Sequence, residues 1–437
     1  MEVAMEIKRD VYLDRLIVRK HNGLIKVITG IRRSGKSYLL NTLFYRHLIA
    51  ENISEDHIIK FAFDSAEDLL KIGEDPIVLD NEKEDRKVDP SKFINWLMPQ
   101  IKGDGMYYLL LDEVQKLGAF ESVLNGFLRR ENLDVYVTGS NSKFLSKDVL
   151  TEFRGRGDEV HVLPLSFSEY YTFKQGDKSE AYDDYSVYGG LPAVALMVTE
   201  EQKTNYLISQ MQNLYLRDIV NRYAVQDETA LGEVIDVIAS GISTLTNPRK
   251  IANTMNTIHG TKTCDATVDR YIGYAEEAFI LTRVKRYNVK GRKYIGTPYK
   301  IYFEDVGLRN ARLSFRQIEG THMMENIIYN ELRYRGYQVD VGTVESREKD
   351  SSGKEIRVQR EIDFIASLGS KKYYIQSAYA IPDQEKYEQE TKSFEHTMDS
   401  FKKIIIIEKS MKPRYDEHGY LMMGVKEFLL DANSLLI

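Results

Sequence analysis

Eight residues near the start of the chain, Gly30-Ile31-Arg32-Arg33-Ser34-Gly35-Lys36-Ser37, set two glycines, a lysine and a hydroxyl at the spacing G-x-x-x-x-G-K-[ST]. The chemistry of that pattern is phosphate binding. Glycines let successive backbone N–H groups turn inward toward phosphate oxygens, and the N-terminus of a following helix adds positive potential. Lys36 is expected to reach the β- and γ-phosphates of a nucleotide, and the Ser37 hydroxyl to hold Mg²⁺. With Tyr38 opening the helix, the expected cradle is Gly30, Ile31, Arg32, Arg33, Ser34, Gly35, Lys36, Ser37 and Tyr38. Such a loop works only between a strand and a helix. Leu24 to Thr29 is a short apolar, β-branched run that reads as the strand, and Tyr38 to Phe44 is compatible with the helix.

The groups that complete a hydrolytic site come later. Met106 to Leu111 is an apolar strand ending in Asp112-Glu113, the Walker B pattern. It places Asp112 as a second metal ligand beside Ser37 and Glu113 as the base that polarises the attacking water. Asp134 to Thr138 reads as the next strand and runs into Gly139-Ser140-Asn141. Ligands of open parallel sheets sit at the carboxyl ends of the strands, so Ser140 or Asn141 is expected to sense the γ-phosphate. In Arg154-Gly155-Arg156-Gly157 an arginine held between glycines, Arg156 before Arg154, is the candidate finger on developing phosphate charge, in cis or from a neighbouring subunit. Alternating strands and helices around such a loop imply a parallel sheet with helices on both faces.

These motifs resemble one family. Gly30 to Ser37, Leu109 to Gln115, Val137 to Ser142, Leu163 to Tyr170 and Tyr188-Gly189-Gly190-Leu191-Pro192 are similar to the signatures of prokaryotic AAA-type P-loop ATPases. The C-terminal half of that family is a domain of unknown function. The resemblance continues through Leu216 to Ile219, Asp305 to Asn310 and Arg360 to Phe364. It implies ATP binding, Mg²⁺ dependence and hydrolysis.

Composition narrows the setting. A chain of 437 residues is expected to hold two or three domains, set here at 1–203 (ATPase), 204–312 (helical, winged helix) and 313–437 (nuclease-like). No apolar run approaches the length needed to cross a bilayer, and the mixed, acidic start Met1 to Glu6 is not a secretory signal. A single cysteine, Cys264, excludes an internal disulfide framework and fits a reducing, cytoplasmic setting. The net charge of −6 argues against coating nucleic acid over the whole surface, but leaves room for a local basic face.

One such face is visible. Between 244 and 300, eleven Lys and Arg stand against four Asp and Glu. Asn247-Pro248 opens one helix, Asp265 a second, and Ile280 to Tyr287 reads as a strand, the order of a winged helix-turn-helix. Arg249, Lys250, Lys285, Arg286, Lys290, Arg292 and Lys293, interleaved with tyrosines, are the candidate contacts to double-stranded DNA. Contact with a partner protein or a lid function is the alternative for that surface, and a homo-oligomer is a separate expectation for the chain. The last stretch, with Glu325 on a helix, Asp363 on a strand and Gln376 on the next, resembles a small α+β restriction-nuclease-like core. The lysine of that pattern is replaced by Ala378, so a degenerate scaffold is expected rather than a nuclease. The readings in order are an ATPase coupled to DNA or a partner protein, a slow nucleotide-dependent switch that binds proteins, and an ATP-dependent nuclease.

Overall fold

A computed structural model describes residues 6–79, 86–139, 153, 155–260, 263–349 and 353–437. The chain divides into two compact units, Ile7–Leu163 and Pro164–Ile437, the latter grouped with the extreme N-terminus. Among the described residues no helix is long and apolar enough to cross a membrane.

The first unit is built on five parallel strands, β1 (Ile25–Thr29), β2 (Ile58–Ala62), β3 (Tyr107–Asp112), β4 (Leu133–Thr138) and β5 (Gly157–His161), in the order β2-β3-β4-β1-β5. Every residue of β1, β3 and β4 is buried, as expected of parallel strands covered on both faces. That is why these segments read as continuous apolar runs. Val27, Leu109, Leu111, Val135 and Val137 share one core with Phe61, Phe93 and Phe127. Two charges are buried on the opposite face of the same strands. Lys26 on β1 is fully buried and paired with Asp134 on β4, which also accepts from the Tyr136 hydroxyl at 2.9 Å and from the His21 N–H at 3.1 Å. A buried ion pair with its remaining lone pairs satisfied is costly to break. This one ties β1 to its neighbour β4.

The second unit carries a mixed eight-stranded sheet. Its strands are β6 (Leu281–Asn288), β7 (Lys293–Phe303), β8 (Gln338–Lys349), β9 (Glu355–Leu368), β10 (Lys371–Ala378), β11 (Lys402–Ile407), β12 (Arg414–Tyr415) and β13 (Leu421–Gly424), in the order β12-β13-β11-β10-β9-β8-β6-β7. Where the sequence leads one to expect a winged helix, there are helices Pro248–His259 and Asp265–Glu277 followed by the β6–β7 hairpin. That hairpin does not stand free. Arg286 to Asn288 pair in parallel with Val341 to Thr343 of β8, so the hairpin and the last hundred residues share one sheet.

Two stretches that the sequence offers only as signatures prove to be one packing device. Asp305, 2% exposed, accepts from the Gly190 N–H at 2.7 Å and caps helix Val306–Arg312 by accepting from the Leu308 N–H at 3.0 Å. A Cβ on Gly307 would lie 2.1 Å from the Tyr188 carbonyl oxygen, and the Asn310 amide donates to the Val187 carbonyl at 2.9 Å. Arg309, fully buried, donates to the Ala239 carbonyl at 2.8 Å. Asp305→Ala strands two buried N–H groups and is expected to lower the unfolding free energy by about 2–4 kcal/mol, read from urea titrations. Burial pushes the Asp305 carboxyl up to about 6, above its ordinary 3.8. Folding therefore takes up a proton in that window, and this group's contribution falls as pH rises through it. Against Asp305→Asn, wild-type stability should decline between about pH 4 and 6; a pH-independent difference would rule this out.

Candidate nucleotide site

The loop between β1 and the following helical segment 36–50 is shaped by two glycines in the left-handed region. Gly30 has φ +134° and Gly35 φ +95°. A Cβ on Gly30 would sit 2.2 Å from the Val162 carbonyl oxygen, so no other residue fits beneath the loop. Ile31 and Ser34 are fully buried, and the Ser34 hydroxyl, enclosed in the loop, has no hydrogen-bond partner. Lys36 is 5% exposed and curls back to donate to the carbonyls of Gly30 and Ile31, each at 2.9 Å. Arg32 is half-buried, while Arg33, Ser37 and Tyr38 reach the surface. A cradle that only glycine fits, a buried hydroxyl without a partner and an ammonium resting on the loop's own carbonyls are the features an ATP phosphate chain requires.

At the carboxyl ends of the neighbouring strands the carboxylates converge. Asp112, 6% exposed at the end of β3, accepts from Ser37 Oγ at 3.1 Å through Oδ1 and from Asn41 Nδ2 at 3.1 Å through Oδ2. The Thr138 hydroxyl, at the end of β4, also donates to Asp112 and accepts from the Glu113 N–H at 3.2 Å. Burial holds the Asp112 carboxyl above the usual carboxylate range, only partly offset by the hydroxyls of Thr138 and Ser37. Glu113 takes a left-handed conformation, φ +51°, which breaks the line of the strand. Its carboxylate accepts from the Gln115 amide. Asp64, just past β2, is also raised, first by burial and then by the charges of Glu113 and Asp112. Acidic groups disfavoured as anions, beside two hydroxyls, are suited to a divalent cation.

Sequence reasoning brought Lys36, Ser37, Asp112 and Glu113 to this place but missed four neighbours: Arg9, Asn41, Asp64 and Thr138. Arg9, 2% exposed, bridges the Ser34 carbonyl at 2.9 Å and the Leu163 carbonyl at 2.6 Å, while the Tyr12 hydroxyl accepts from the Leu163 N–H at 3.0 Å. Helix Asp10–Ile17 thereby braces the loop from below. The candidate sensors Ser140 and Asn141, and Arg154, lie outside the described residues.

Arg156 is placed elsewhere than expected. Strands β1 and β5 run parallel with Ile25 opposite Gly157, and the Arg156 carbonyl accepts from the Ile25 N–H at 2.9 Å. Arg156 therefore stands at the amino end of the sheet, ~16 Å of strand from Gly30, beyond an arginine's reach to the cradle of its own chain. A finger in cis is corrected by this register. The basic residues divide as well. Arg249, Lys250, Lys285, Lys290, Arg292 and Lys293 are exposed. Arg286 is 7% exposed and donates to the Pro298 carbonyl at 2.9 Å and to Gln359 Oε1 at 3.1 Å, so it serves the sheet and not the surface.

An AAA domain model matches residues 22–171, and a domain of unknown function (DUF8612) matches residues 179–319. An uncharacterised protein of Haemophilus influenzae is 34% identical over 416 residues, covering 94% of this chain and 95% of that protein. The chain belongs to the AAA-type P-loop ATPase family. The likeness runs through both units, because a second relative, an uncharacterised protein of Methanocaldococcus jannaschii, is 26% identical over 98% of this chain and 90% of its own. Among solved structures, the Walker-type ATPase of Pyrococcus abyssi is similar at a TM-score of 0.49 and 14% identity, over 70% of this chain and 96% of that one.

Binding of a fluorescent ATP analogue tests the cradle. Lys36→Ala should abolish it. Arg9→Ala, which removes the bridge between the Ser34 and Leu163 carbonyls, should weaken it about tenfold, ~1.4 kcal/mol, with the fold intact by circular dichroism; unchanged affinity would show that the loop holds its shape without the brace.

Proposed function

We propose that the chain is a Mg²⁺-dependent ATPase whose turnover responds to contact with double-stranded DNA. The observation that carries the hydrolytic part is the Asp112 carboxylate, gripped at once by Ser37 from the loop and Thr138 from β4, with Glu113 next in the chain. Ser37 and Asp112 would hold Mg²⁺, which supplies charge neutralisation at the phosphate oxygens when bound. Lys36 exchanges its two carbonyl partners for the β- and γ-phosphates. The Glu113 carboxylate takes a proton from the water that attacks the γ-phosphorus, and the bond to the ADP oxygen breaks. Gln115 orients that carboxylate through its amide. In this reading Thr138 does part of what sequence assigned to Ser140 or Asn141, since it links the base's backbone to the metal-side carboxylate.

The DNA reading is supported by the exposed cations at the β6–β7 turn, Lys290, Arg292 and Lys293, together with Arg249 and Lys250 in the first turn of helix Pro248–His259. Neutralising phosphates with such side chains releases counterions, so any DNA effect must fade with salt. A nucleotide-dependent switch that binds a protein shares the P-loop chemistry but needs no such salt dependence.

Phosphate release, measured with and without duplex DNA at low and moderate salt, separates these readings. Glu113→Gln should keep ATP binding and lose turnover by at least a hundredfold, within the range of a lost general base; full activity would remove Glu113 from the mechanism. Replacing Lys290, Arg292 and Lys293 by Glu together should leave the basal rate and abolish DNA stimulation. A basal rate that DNA never changes, at any salt, points to the switch.

A further inference from the structure

The second unit contains a cluster of buried charges that the nucleotide chemistry does not use. The nuclease-like pattern predicts Glu325, Asp363 and Gln376 around a divalent cation, with no lysine because Ala378 stands in its place. Glu325 and Asp363, from helix Gly320–Tyr334 and β9, do converge, but on a lysine, and Gln376 on β10 meets the Asp363 backbone instead. The lysine comes from β7. Lys300 Nζ lies 2.8 Å from Glu325 Oε1, 2.7 Å from Glu361 Oε1 and 3.1 Å from Asp363 Oδ1. The surrounding polar atoms are engaged as well. The Tyr302 hydroxyl donates to Glu325 Oε1 at 2.7 Å, and the Ser377 N–H donates to Asp363 Oδ2 at 2.9 Å. Gln376 accepts from the Asp363 N–H at 3.4 Å and donates to Glu390 at 3.2 Å.

A divalent ion does not fit this arrangement. Mg²⁺ needs carboxylate oxygens at about 2.0–2.1 Å, and the oxygens that would face it already bind an ammonium. Two cations cannot share them without strong repulsion. The side chains of Lys300, Glu325 and Asp363 are 4%, 9% and 11% exposed, while Glu361 at 31% forms the one partly open side of the cluster. The ammonium is held by what surrounds it, because a buried cation is tolerated only when paired and fully hydrogen-bonded.

We propose that the Lys300 ammonium stands permanently where the nuclease-like fold would hold a divalent metal, so that this unit assembles without metal and Lys300 masks a latent divalent-cation site formed by Glu325, Glu361 and Asp363. Ala378 stands at the pattern's lysine position, and the lysine at the carboxylates comes instead from β7.

Mn²⁺ binding to the full chain, followed by electron paramagnetic resonance and by thermal melting in the absence of nucleotide, tests this. Any Mn²⁺-dependent rise in Tm that wild type draws from the Ser37–Asp112 site should persist unchanged in Asp363→Asn. Lys300→Ala should gain a further Mn²⁺ per chain and a Tm rise of a few degrees at saturating metal, and adding Asp363→Asn should erase both. Lys300→Arg, which keeps the charge, should gain nothing. A wild type that Mn²⁺ stabilises, with the effect lost in Asp363→Asn, overturns the proposal, as does a folded Lys300→Ala with no gained metal. Should Lys300→Ala fail to fold, recovery of its fold by Mn²⁺ supports the masked site, and failure to recover it overturns that site.

Discussion

A carboxylate removed from water at the end of a buried strand must find hydrogen-bond donors, and the first unit is arranged around that requirement at Asp112. Its donors come from three places: Ser37 and Asn41 from the helical segment behind the phosphate loop, and Thr138 from β4. Meeting the need of one side chain therefore fixes the loop, β3 and β4 against each other. The order β3-β4-β1 makes this geometry available, since the strand carrying Thr138 lies between the acidic strand and the loop strand. The rest of the loop is held from other directions, by the Val162 carbonyl that excludes any side chain at Gly30 and by Arg9 across Ser34 and Leu163. What results is a partly strained, incompletely neutralised site. Asp112 and Asp64 both sit above their ordinary range, and a cation would relieve both.

The second unit meets the same electrostatic requirement differently. Asp305, Arg309 and Lys300 are all buried, and each finds its partners within the unit. Asp305 satisfies two backbone N–H groups, Arg309 satisfies carbonyls, and Lys300 faces three carboxylates. Buried polar networks of this kind are expensive when half-formed and specific when complete. This gives a physical reading of Asp305 to Asn310 and Tyr188 to Leu191: the two signatures are the two faces of one lock.

Much of the first unit was legible because its determinants are local. The loop spacing, the apolar run ending in Asp112-Glu113 and the strand into Thr138 are contiguous patterns that physics ties to one geometry each. What escaped depends on partners far apart in sequence. Arg9 reaches residues 25 and 154 positions away, Thr138 meets Asp112 across 26, and Lys300 meets Asp363 across 63. A single arginine or threonine has no spacing to betray it. The cis alternative for Arg156 was unreadable for a related reason: Gly-Arg-Gly announces a turn, but only strand register says which end of the sheet the turn serves. Arg286 was closer to readable, because on β6 it shares the buried side with Val284 and Asn288, and the two-residue alternation could have removed it from the exposed set.

The two charge clusters differ in one respect that bears on what each unit can do. Around Asp112 the donors are hydroxyls and an amide, neutral groups that would yield to the proposed metal ion without leaving a charge stranded. Around Lys300 the neutralising group is covalently part of the chain, so it cannot be exchanged, diluted or chelated away. An exchangeable cation lets a site cycle between states as nucleotide comes and goes. A built-in ammonium does the opposite, fixing helix Gly320–Tyr334 to β7 and β9 at every moment of that cycle. A chain with one site of each kind has its adjustable electrostatics confined to the cradle and its permanent electrostatics in the sheet that carries the basic hairpin. On that division, the β6–β7 hairpin is presented from a frame whose charge balance does not depend on metal.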